Sequence, residues 1–269
     1  MRRGVPEAPR WAWAVILVGV VVIVGLIPVA LGRGDVAGDG HHTDPSEGIV
    51  TSTRSSVPAP TTTRQREPLQ VLVIGDNFTS GSAEGGNGRD GWPRIVGATL
   101  AAEGRDVTVD VSASDGGGYT QLGAADATFI DMAKGAGPGY DLVIFFGGTN
   151  DTAAGSAVKE AAYEAEVQLW NVLPDAYILV IGPAWVDAAA PASVRLTSQS
   201  IRAAAQQAGV PFVDPIRQGW FAGEDDLIGA DRLHPTDAGH RRIAERVLPA
   251  VRAQLDVVAR ALASTDEGK

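Results

Sequence analysis

The sequence contains no cysteine. This absence excludes a thiol nucleophile, a zinc–thiolate site and any disulfide bond. If the main domain is exported, it must therefore be stable through its hydrophobic core alone. Histidine is also scarce, with four residues in the chain, and only His234 and His240 lie beyond residue 68.

Acidic residues outnumber basic ones, and the formal net charge is −10. Residues 1–68 contain seven arginines and six acidic residues, so they carry +1 and leave −11 for the rest of the chain. Such a domain repels phosphate backbones, and the sequence predicts no nucleic-acid partner. With 269 residues, 45% of them hydrophobic, the chain can bury a substantial core, which favours one globular domain with appended segments.

Phosphate-binding loops are missing as well. No Gly-Lys-Ser/Thr loop occurs in the sequence. Gly116 and Gly118 begin a glycine pattern, but Gln121 stands where a dinucleotide loop needs its third glycine. The sequence therefore predicts no cofactor.

One long uncharged run, WAWAVILVGVVVIVGLIPVAL, occupies residues 11–31. A helix needs about 20 residues to cross a bilayer, whereas the core of a cleaved signal peptide has about 7–15. The run therefore predicts a retained transmembrane signal anchor. Arg2, Arg3 and Arg10 precede it, and the positive-inside rule then places residues 1–10 in the cytoplasm. We expect a single-pass protein of the plasma (inner) membrane with an extracytoplasmic domain.

Residues 32–68 are rich in Gly, Ser, Thr and Pro, as in TSTRSSVPAPTTTRQREP. Such a segment cannot bury enough apolar surface to offset the entropy cost of ordering it, so it is predicted to be a disordered linker. His41 and His42 lie in this tract and are assigned no role. A flexible tail is predicted at 264–269.

From Leu69 onward the pattern alternates between short apolar runs and longer helical segments. Strands are predicted at 69–74, 106–111, 141–146, 176–182 and 210–214, and helices at 92–104, 153–173, 194–208 and along the C-terminal segment. Strands separated by helices imply right-handed crossovers and a parallel sheet covered on both faces. The sequence therefore predicts one α/β domain over 69–263.

Four polar or glycine-rich segments follow predicted strands or precede the last helix. They read GDN (75–77), SASDGGG (112–118), GGTND (147–151) and DRLH (231–234). Ligands of open parallel sheets bind beyond the carboxyl ends of the strands, so these segments are expected to meet at one edge.

In this order the four segments resemble the motifs of the SGNH (GDSL) hydrolases, with the last two matching fully. The resemblance covers about residues 69–263. It implies a flavodoxin-like three-layer α/β/α sandwich with a central parallel sheet, and an activity on acyl esters. The predicted location outside a membrane suggests an envelope glycan or lipid ester as the substrate.

The DRLH segment supplies the candidate acid–base pair. Asp231 lies three residues before His234, so one turn can bring its carboxylate to the imidazole, where it would fix the tautomer and support the imidazolium. The resemblance implies an oxyanion hole made by the Asn150 amide, the backbone N–H of Gly116 and the backbone N–H of residue 77. Gly117 is the alternative to Gly116.

Asn77 breaks the pattern, because the family has its nucleophilic serine at this position. An asparagine amide is a poor nucleophile and cannot form the usual acyl-enzyme, although its side chain can cap a helix start as serine can. Three outcomes follow: an inactive protein that binds an acylated ligand, a substitute nucleophile at Ser80, Thr79 or Ser82, or a water activated by His234. Weak or absent hydrolysis is favoured over a full-rate esterase.

Two further alternatives concern neighbouring residues. Asp231, His234, Asp237 and His240 repeat every three residues, but Pro235 interrupts a single helix through them, so no metal site is predicted and His240 is expected to be structural. Separately, Trp185 and Tyr119 are each either groove-lining or packing residues.

Overall fold

The computed structural model describes residues 68–267. The predicted anchor at 11–31 and all but the last residue of the predicted linker lie outside these residues. Within the described part of the chain, none of the helices combines the length and the apolar character that crossing a membrane requires.

Five parallel strands form the sheet of the described domain. They are β1 (Leu69–Gly75), β2 (Val107–Ala113), β3 (Leu142–Phe146), β4 (Tyr177–Ile181) and β5 (Phe212–Val213), in the spatial order β2-β1-β3-β4-β5. The predicted parallel α/β sheet is confirmed, and this order is the flavodoxin-like one. The last strand is shorter than predicted because Pro211 has no N–H to donate and Pro215 begins a helix.

Seven α-helices occur in the described residues. They are α1 (Asn77–Ser80), α2 (Trp92–Ala102), α3 (Phe129–Lys134), α4 (Ala157–Val172), α5 (Ala192–Ala208), α6 (Pro215–Gln218) and α7 (Asp237–Glu267). The short helices α1, α3 and α6 were not predicted, since segments of four to six residues show too few turns for a helical period to be visible.

Alternate strand residues point to opposite faces of the sheet, and each face is covered by helices. Helices α2 and α7 pack on one face, against Val71, Val73, Leu142, Ile144, Leu179 and Ile181. Helices α3, α4 and α5 pack on the other, against Leu72, Ile74, Val143, Phe145, Ile178 and Val180. Because both faces are buried, the strands read as continuous apolar runs, and the result is a three-layer α/β/α arrangement.

The strand order creates a switch point between β1 and β3. The chain leaves β1 for the edge strand β2 and then returns to the other side of β1. Gly75 pairs with Phe146 at the end of these two strands, so Asp76 and Gly147 leave the sheet side by side. A Cβ on Gly147 would lie 2.7 Å from the Phe129 ring, which explains why glycine stands there.

Glu166 is an unusual residue of the core on the sheet face that α3, α4 and α5 cover. It lies on α4 and is fully buried, and neither of its carboxyl oxygens has a hydrogen-bond partner among the described residues. Burial raises the pKa of Glu166 to about 8. The side chain is therefore a neutral carboxylic acid at neutral pH.

Replacing Glu166 by Gln should remove a pH dependence of stability. From pH 4.5 to about 8, the folded protein keeps the Glu166 proton while the unfolded chain releases it, so the free energy of unfolding falls as pH rises. Between pH 5 and pH 8 we expect the native protein to lose more than about 1 kcal/mol relative to Glu166→Gln in urea unfolding. The exposed Glu160 on the same helix provides the control variant Glu160→Gln, which should track the native protein. Parallel curves for Glu166→Gln and the native protein would contradict the expectation.

Candidate active site

Asp231 and His234 form a hydrogen-bonded pair on the loop before α7. His234 Nδ1 lies 2.6 Å from Asp231 Oδ2, and Asp231 Oδ1 accepts the backbone N–H groups of Leu233 and His234 at 2.8 and 2.9 Å. The backbone N–H of His234, then its ring, then the N–H of Leu233 lower the pKa of Asp231 to about 2. An ionised carboxylate here holds the proton on Nδ1 and leaves Nε2 to act as a base.

The loop that carries the pair is closed on itself. Gly229 donates its N–H to the carbonyl of His234 at 2.8 Å, and Arg232 donates its N–H to the carbonyl of Gly229 at 2.9 Å. Arg232 adopts the left-handed conformation, with φ of 58°, which few side chains other than glycine adopt. Pro235 then pairs with Ile228 in an isolated bridge and ends the loop ahead of α7.

Asp76 connects the ends of β1 and β3. Its Oδ1 accepts the N–H of Phe78 at 2.9 Å and thereby caps α1, and its Oδ2 accepts from Asn150 Nδ2 at 3.1 Å. An asparagine can cap a helix start, but here the cap is Asp76, one residue before Asn77. Burial raises the pKa of Asp76 to about 7, the Phe78 N–H lowers it, Asp151 raises it and the charge of His234 lowers it. A charge on His234 therefore acts on the carboxyl group at the end of β1.

Asn77 faces the glycine-rich loop after β2. Its side-chain Oδ1 accepts the backbone N–H of Gly116 at 2.6 Å. Gly117 turns away from this contact and donates its N–H to the carbonyl of Ser114 at 2.8 Å. Of the two glycines left open by the sequence, Gly116 is the one whose N–H points at residue 77.

Asn150 lies in a 3₁₀ turn directly after β3. Its Nδ2 donates to Asp76 Oδ2 at 3.1 Å and to the carbonyl of Gly117 at 2.8 Å, so both amide hydrogens are engaged. Two groups that the resemblance assigns to an oxyanion hole thus already donate within the protein. A bound oxyanion would have to replace Asn77 on the Gly116 N–H and rearrange the Asn150 amide.

Asp151 is a site residue for which the sequence motifs predict no role. It is 1% exposed, and its Oδ1 accepts from Thr120 N, Thr120 Oγ1 and Gln121 N at 2.8, 2.7 and 3.2 Å. Its Oδ2 accepts from Tyr119 N at 2.9 Å. This carboxylate ties the loop after β2 to the end of β3. The available signal was its position as the last residue of GGTND.

Comparison with known proteins agrees with this arrangement. Residues 73–242 match the GDSL-like lipase/acylhydrolase family. The chain belongs to that family. The chain is also 36% identical over 190 residues to the GDSL lipase Rv0518 of Mycobacterium tuberculosis (strain ATCC 25618 / H37Rv). The aligned region covers 69% of this chain and 82% of that protein.

Solved structures show the same fold at lower identity. The crystal structure of TesA is 22% identical, with a TM-score of 0.58, over 69% of this chain and 99% of that one. A family two carbohydrate esterase from Cellvibrio japonicus is 19% identical, with a TM-score of 0.55, over 71% of this chain and 63% of that one. This chain therefore shares its fold with these two proteins.

None of the hydroxyl groups near Asn77 has a hydrogen bond to His234 among the described residues. Ser80 Oγ donates to Asp115 Oδ1 at 2.6 Å, and Ser82 Oγ accepts the N–H of Glu84 at 3.1 Å. Thr79 is 3% exposed, and its hydroxyl has no hydrogen-bond partner among the described residues. None of the three arrangements activates the hydroxyl through the imidazole.

Tyr119 and Trp185, the two residues considered for a substrate groove, differ in how deeply they are buried. Tyr119 is 1% exposed and packs against Phe129, with the ring centroids 4.9 Å apart, so it is a core residue of this GDSL domain. Trp185 is half-buried in the segment that follows β4.

Asp237 and His240 make contacts separate from the Asp231–His234 pair. Asp237 Oδ1 accepts the N–H of Gly86 at 2.8 Å, and the buried His240 accepts the N–H of Trp92 on Nδ1 at 3.4 Å. Burial lowers the pKa of His240 to about 4, so the ring is neutral at physiological pH. Residues 68–267 contain no group of three or more His, Cys, Asp or Glu side chains arranged to hold a metal ion.

Replacing Asp151 by Asn should loosen the loop after β2. An amide offers one acceptor oxygen and one donor nitrogen, so at least one buried N–H would face another donor. We expect a loss of about 2–4 kcal/mol in the free energy of unfolding, measured in urea. The exposed Asp106 gives the control Asp106→Asn, whose effect should stay within about 0.5 kcal/mol. Equal stability of the two variants would mean that the four hydrogen bonds contribute little.

Proposed function

We propose that residues 69–263 form an extracytoplasmic acyl-ester hydrolase-like domain of the GDSL family, in which hydrolysis is weak or lost because Asn77 stands at the nucleophile position. The observation that carries this proposal is the 2.6 Å hydrogen bond between Asn77 Oδ1 and the Gly116 N–H. The same domain contains a His234–Asp231 pair joined through Nδ1, which is the hydrogen bond that a general base of this kind requires.

Asn77 impairs hydrolysis in two ways. Its amide nitrogen has a delocalised lone pair, so it cannot attack an ester carbonyl and form an acyl-enzyme. Its carbonyl oxygen also occupies the Gly116 N–H, a donor that an oxyanion hole must present to developing negative charge. A serine would remove both obstacles, because its shorter side chain has no carbonyl oxygen to place on Gly116.

The remaining groups support at most a slow reaction through water. His234 can abstract a proton from a water molecule, and Asp231 can stabilise the imidazolium that results. Serine hydrolases that lose their nucleophile retain catalysis that is orders of magnitude below the intact rate.

The second candidate function is an inactive protein that binds an acylated or glycan ligand. The engaged Asn150 and Gly116 donors favour that candidate, since they must rearrange before they can stabilise an oxyanion.

The proposed location rests on the sequence. The uncharged run at 11–31 would anchor the chain, and the arginines before it would keep residues 1–10 in the cytoplasm. The domain would then face the cell envelope, where ester-bearing glycans and lipids are the available substrates. The fold shared with a carbohydrate esterase and the sequence similarity to a GDSL lipase support both classes.

Asn77→Ser should create reactivity towards a fluorophosphonate probe. We expect negligible labelling of the purified full-length native chain, because no hydroxyl is activated by His234, and clear labelling of the variant. Hydrolysis of 4-nitrophenyl acetate should rise at least 100-fold, in line with the contribution of a nucleophile to such sites. Asn77→Ala is the matched control, since it frees the Gly116 N–H without supplying a hydroxyl, and it should not be labelled.

Two further variants assign any reactivity that appears. His234→Ala in the Asn77→Ser background should abolish labelling. Strong labelling of the native chain that is lost in Ser80→Ala would instead identify Ser80 as a substitute nucleophile. Strong native labelling that is lost in His234→Ala would reject the proposal that hydrolysis is weak or lost.

A further inference from the structure

A cavity of about 520 Å³ opens beside the catalytic loop. This volume lies in the range of small-molecule sites. Three charged side chains, those of Asp187, Glu224 and Arg232, and two apolar ones, those of Val186 and Ile228, contribute to its walls. Its lining comes from the segment after β4 and from the stretch that leads into the Asp231–His234 pair.

The cavity and His234 share one short loop. Gly229, which lines the cavity, donates its N–H to the carbonyl of His234 at 2.8 Å. Ala230, also in the lining, donates its N–H to Glu84 Oε2 at 2.9 Å, which secures the loop to the segment after α1. The left-handed Arg232 lies between Asp231 and His234 in the chain. The backbone conformation that forms the pair therefore also places Arg232 in the cavity wall.

The loop shared by the cavity and His234 indicates which half of an ester belongs in the cavity. In acyl transfer the histidine that takes the proton later returns it to the leaving group. The leaving alcohol must therefore lie on the side of His234, whereas the acyl carbonyl lies over residue 77 and the Gly116 N–H. Because the cavity is lined by Gly229, Ala230 and Arg232 of the loop that carries His234, it is the candidate for the alcohol side.

The charges of the cavity indicate a neutral, hydroxyl-rich ligand. Arg242 Nη2 contacts both carboxylate oxygens of Glu224 at 2.6 Å, so the charge of Glu224 is compensated. Asp187 and Arg232 then carry opposite charges, which leaves the cavity close to neutral. Carboxylate and guanidinium groups provide several hydrogen-bond acceptors and donors, a combination that suits vicinal hydroxyls better than a long hydrocarbon chain.

We propose that this cavity binds the alcohol half of the ester and that this half is a neutral sugar. Arg232 and Asp187 hydrogen-bond its hydroxyls and determine specificity for O-acylated glycans over simple lipid esters. This inference rests on the proposed function, since it takes His234 and residue 77 as the two ends of an ester-binding site.

The test compares two esters in the Asn77→Ser chain at full length. The sugar ester is methyl 6-O-acetyl-β-glucoside and the reference is 4-nitrophenyl acetate, which has the same acyl group. We expect Arg232→Ala and Asp187→Ala each to lower kcat/KM for the sugar ester at least tenfold more than for the aryl ester, mainly through KM. Ala and Arg are equally strained at the φ of residue 232, so the substitution adds no backbone cost.

Arg260→Ala is the matched control. Arg260 is exposed on α7, about 35 Å along the helix from its first residue at a rise of about 1.5 Å per residue. The ratio of the two kcat/KM values should not change in this variant. Urea-unfolding midpoints of all variants establish that they are folded.

The outcomes separate this inference from the proposed function. If Asn77→Ser hydrolyses both esters and neither Arg232→Ala nor Asp187→Ala changes their ratio, the sugar site is overturned while the proposed function stands. A preference of Asn77→Ser for 4-nitrophenyl octanoate that is lost in Arg232→Ala would place an acyl chain in the cavity and also overturn the sugar site.

If Asn77→Ser hydrolyses neither ester, the proposed chemistry fails, and calorimetric titration of the native chain with the sugar ester decides the site. Saturable binding that Arg232→Ala abolishes and Arg260→Ala retains supports the sugar site, and absence of binding overturns it.

Discussion

The buried carboxyl group of Asp76 holds together the segments that leave β1 and β3. One oxygen caps α1 and the other accepts from Asn150, so a single side chain spans the switch point of the sheet. This contact orients the Asn150 amide towards the glycine loop, and Asp151 next to it secures that loop from the other side. The 2.6 Å contact between Asn77 and Gly116 depends on both anchors, because each fixes one of the two partners.

The acid–base pair depends on hydrogen bonds within residues 231–234. Asp231 reaches the ring of His234 within one turn, and two backbone N–H groups keep its carboxylate ionised. The pair would therefore form in almost any fold that ended the loop in the same way. The tertiary structure adds placement, since α7 packs on the same face as α2, and Ala230 and Asp237 hydrogen-bond to the segment after α1. Local hydrogen bonds form the Asp231–His234 pair, and long-range packing determines where the pair lies in the domain.

An asparagine is compatible with this framework for a physical reason. Asp76, rather than residue 77, caps α1. The side chain of residue 77 is therefore not needed to cap the helix. Its amide can instead satisfy the Gly116 N–H, which would otherwise point into the site without a partner in the protein. Serine and asparagine are therefore interchangeable for folding, while only serine provides a nucleophile. Structural integrity and catalysis are separable at this one position.

The amino-acid sequence by itself determined the alternation of strands and helices, the parallel sheet and the Asp231–His234 pair. These follow from apolar runs, helical periods and a spacing of three residues, all of which are local. Only the tertiary structure decided that Asp76 rather than Asn77 caps α1, that Gly116 rather than Gly117 meets Asn77, that Tyr119 is buried and that Asp151 anchors a loop about 30 residues away. Those outcomes depend on which N–H groups meet which oxygens after segments distant in the chain pack together, and no periodicity along the chain encodes such contacts.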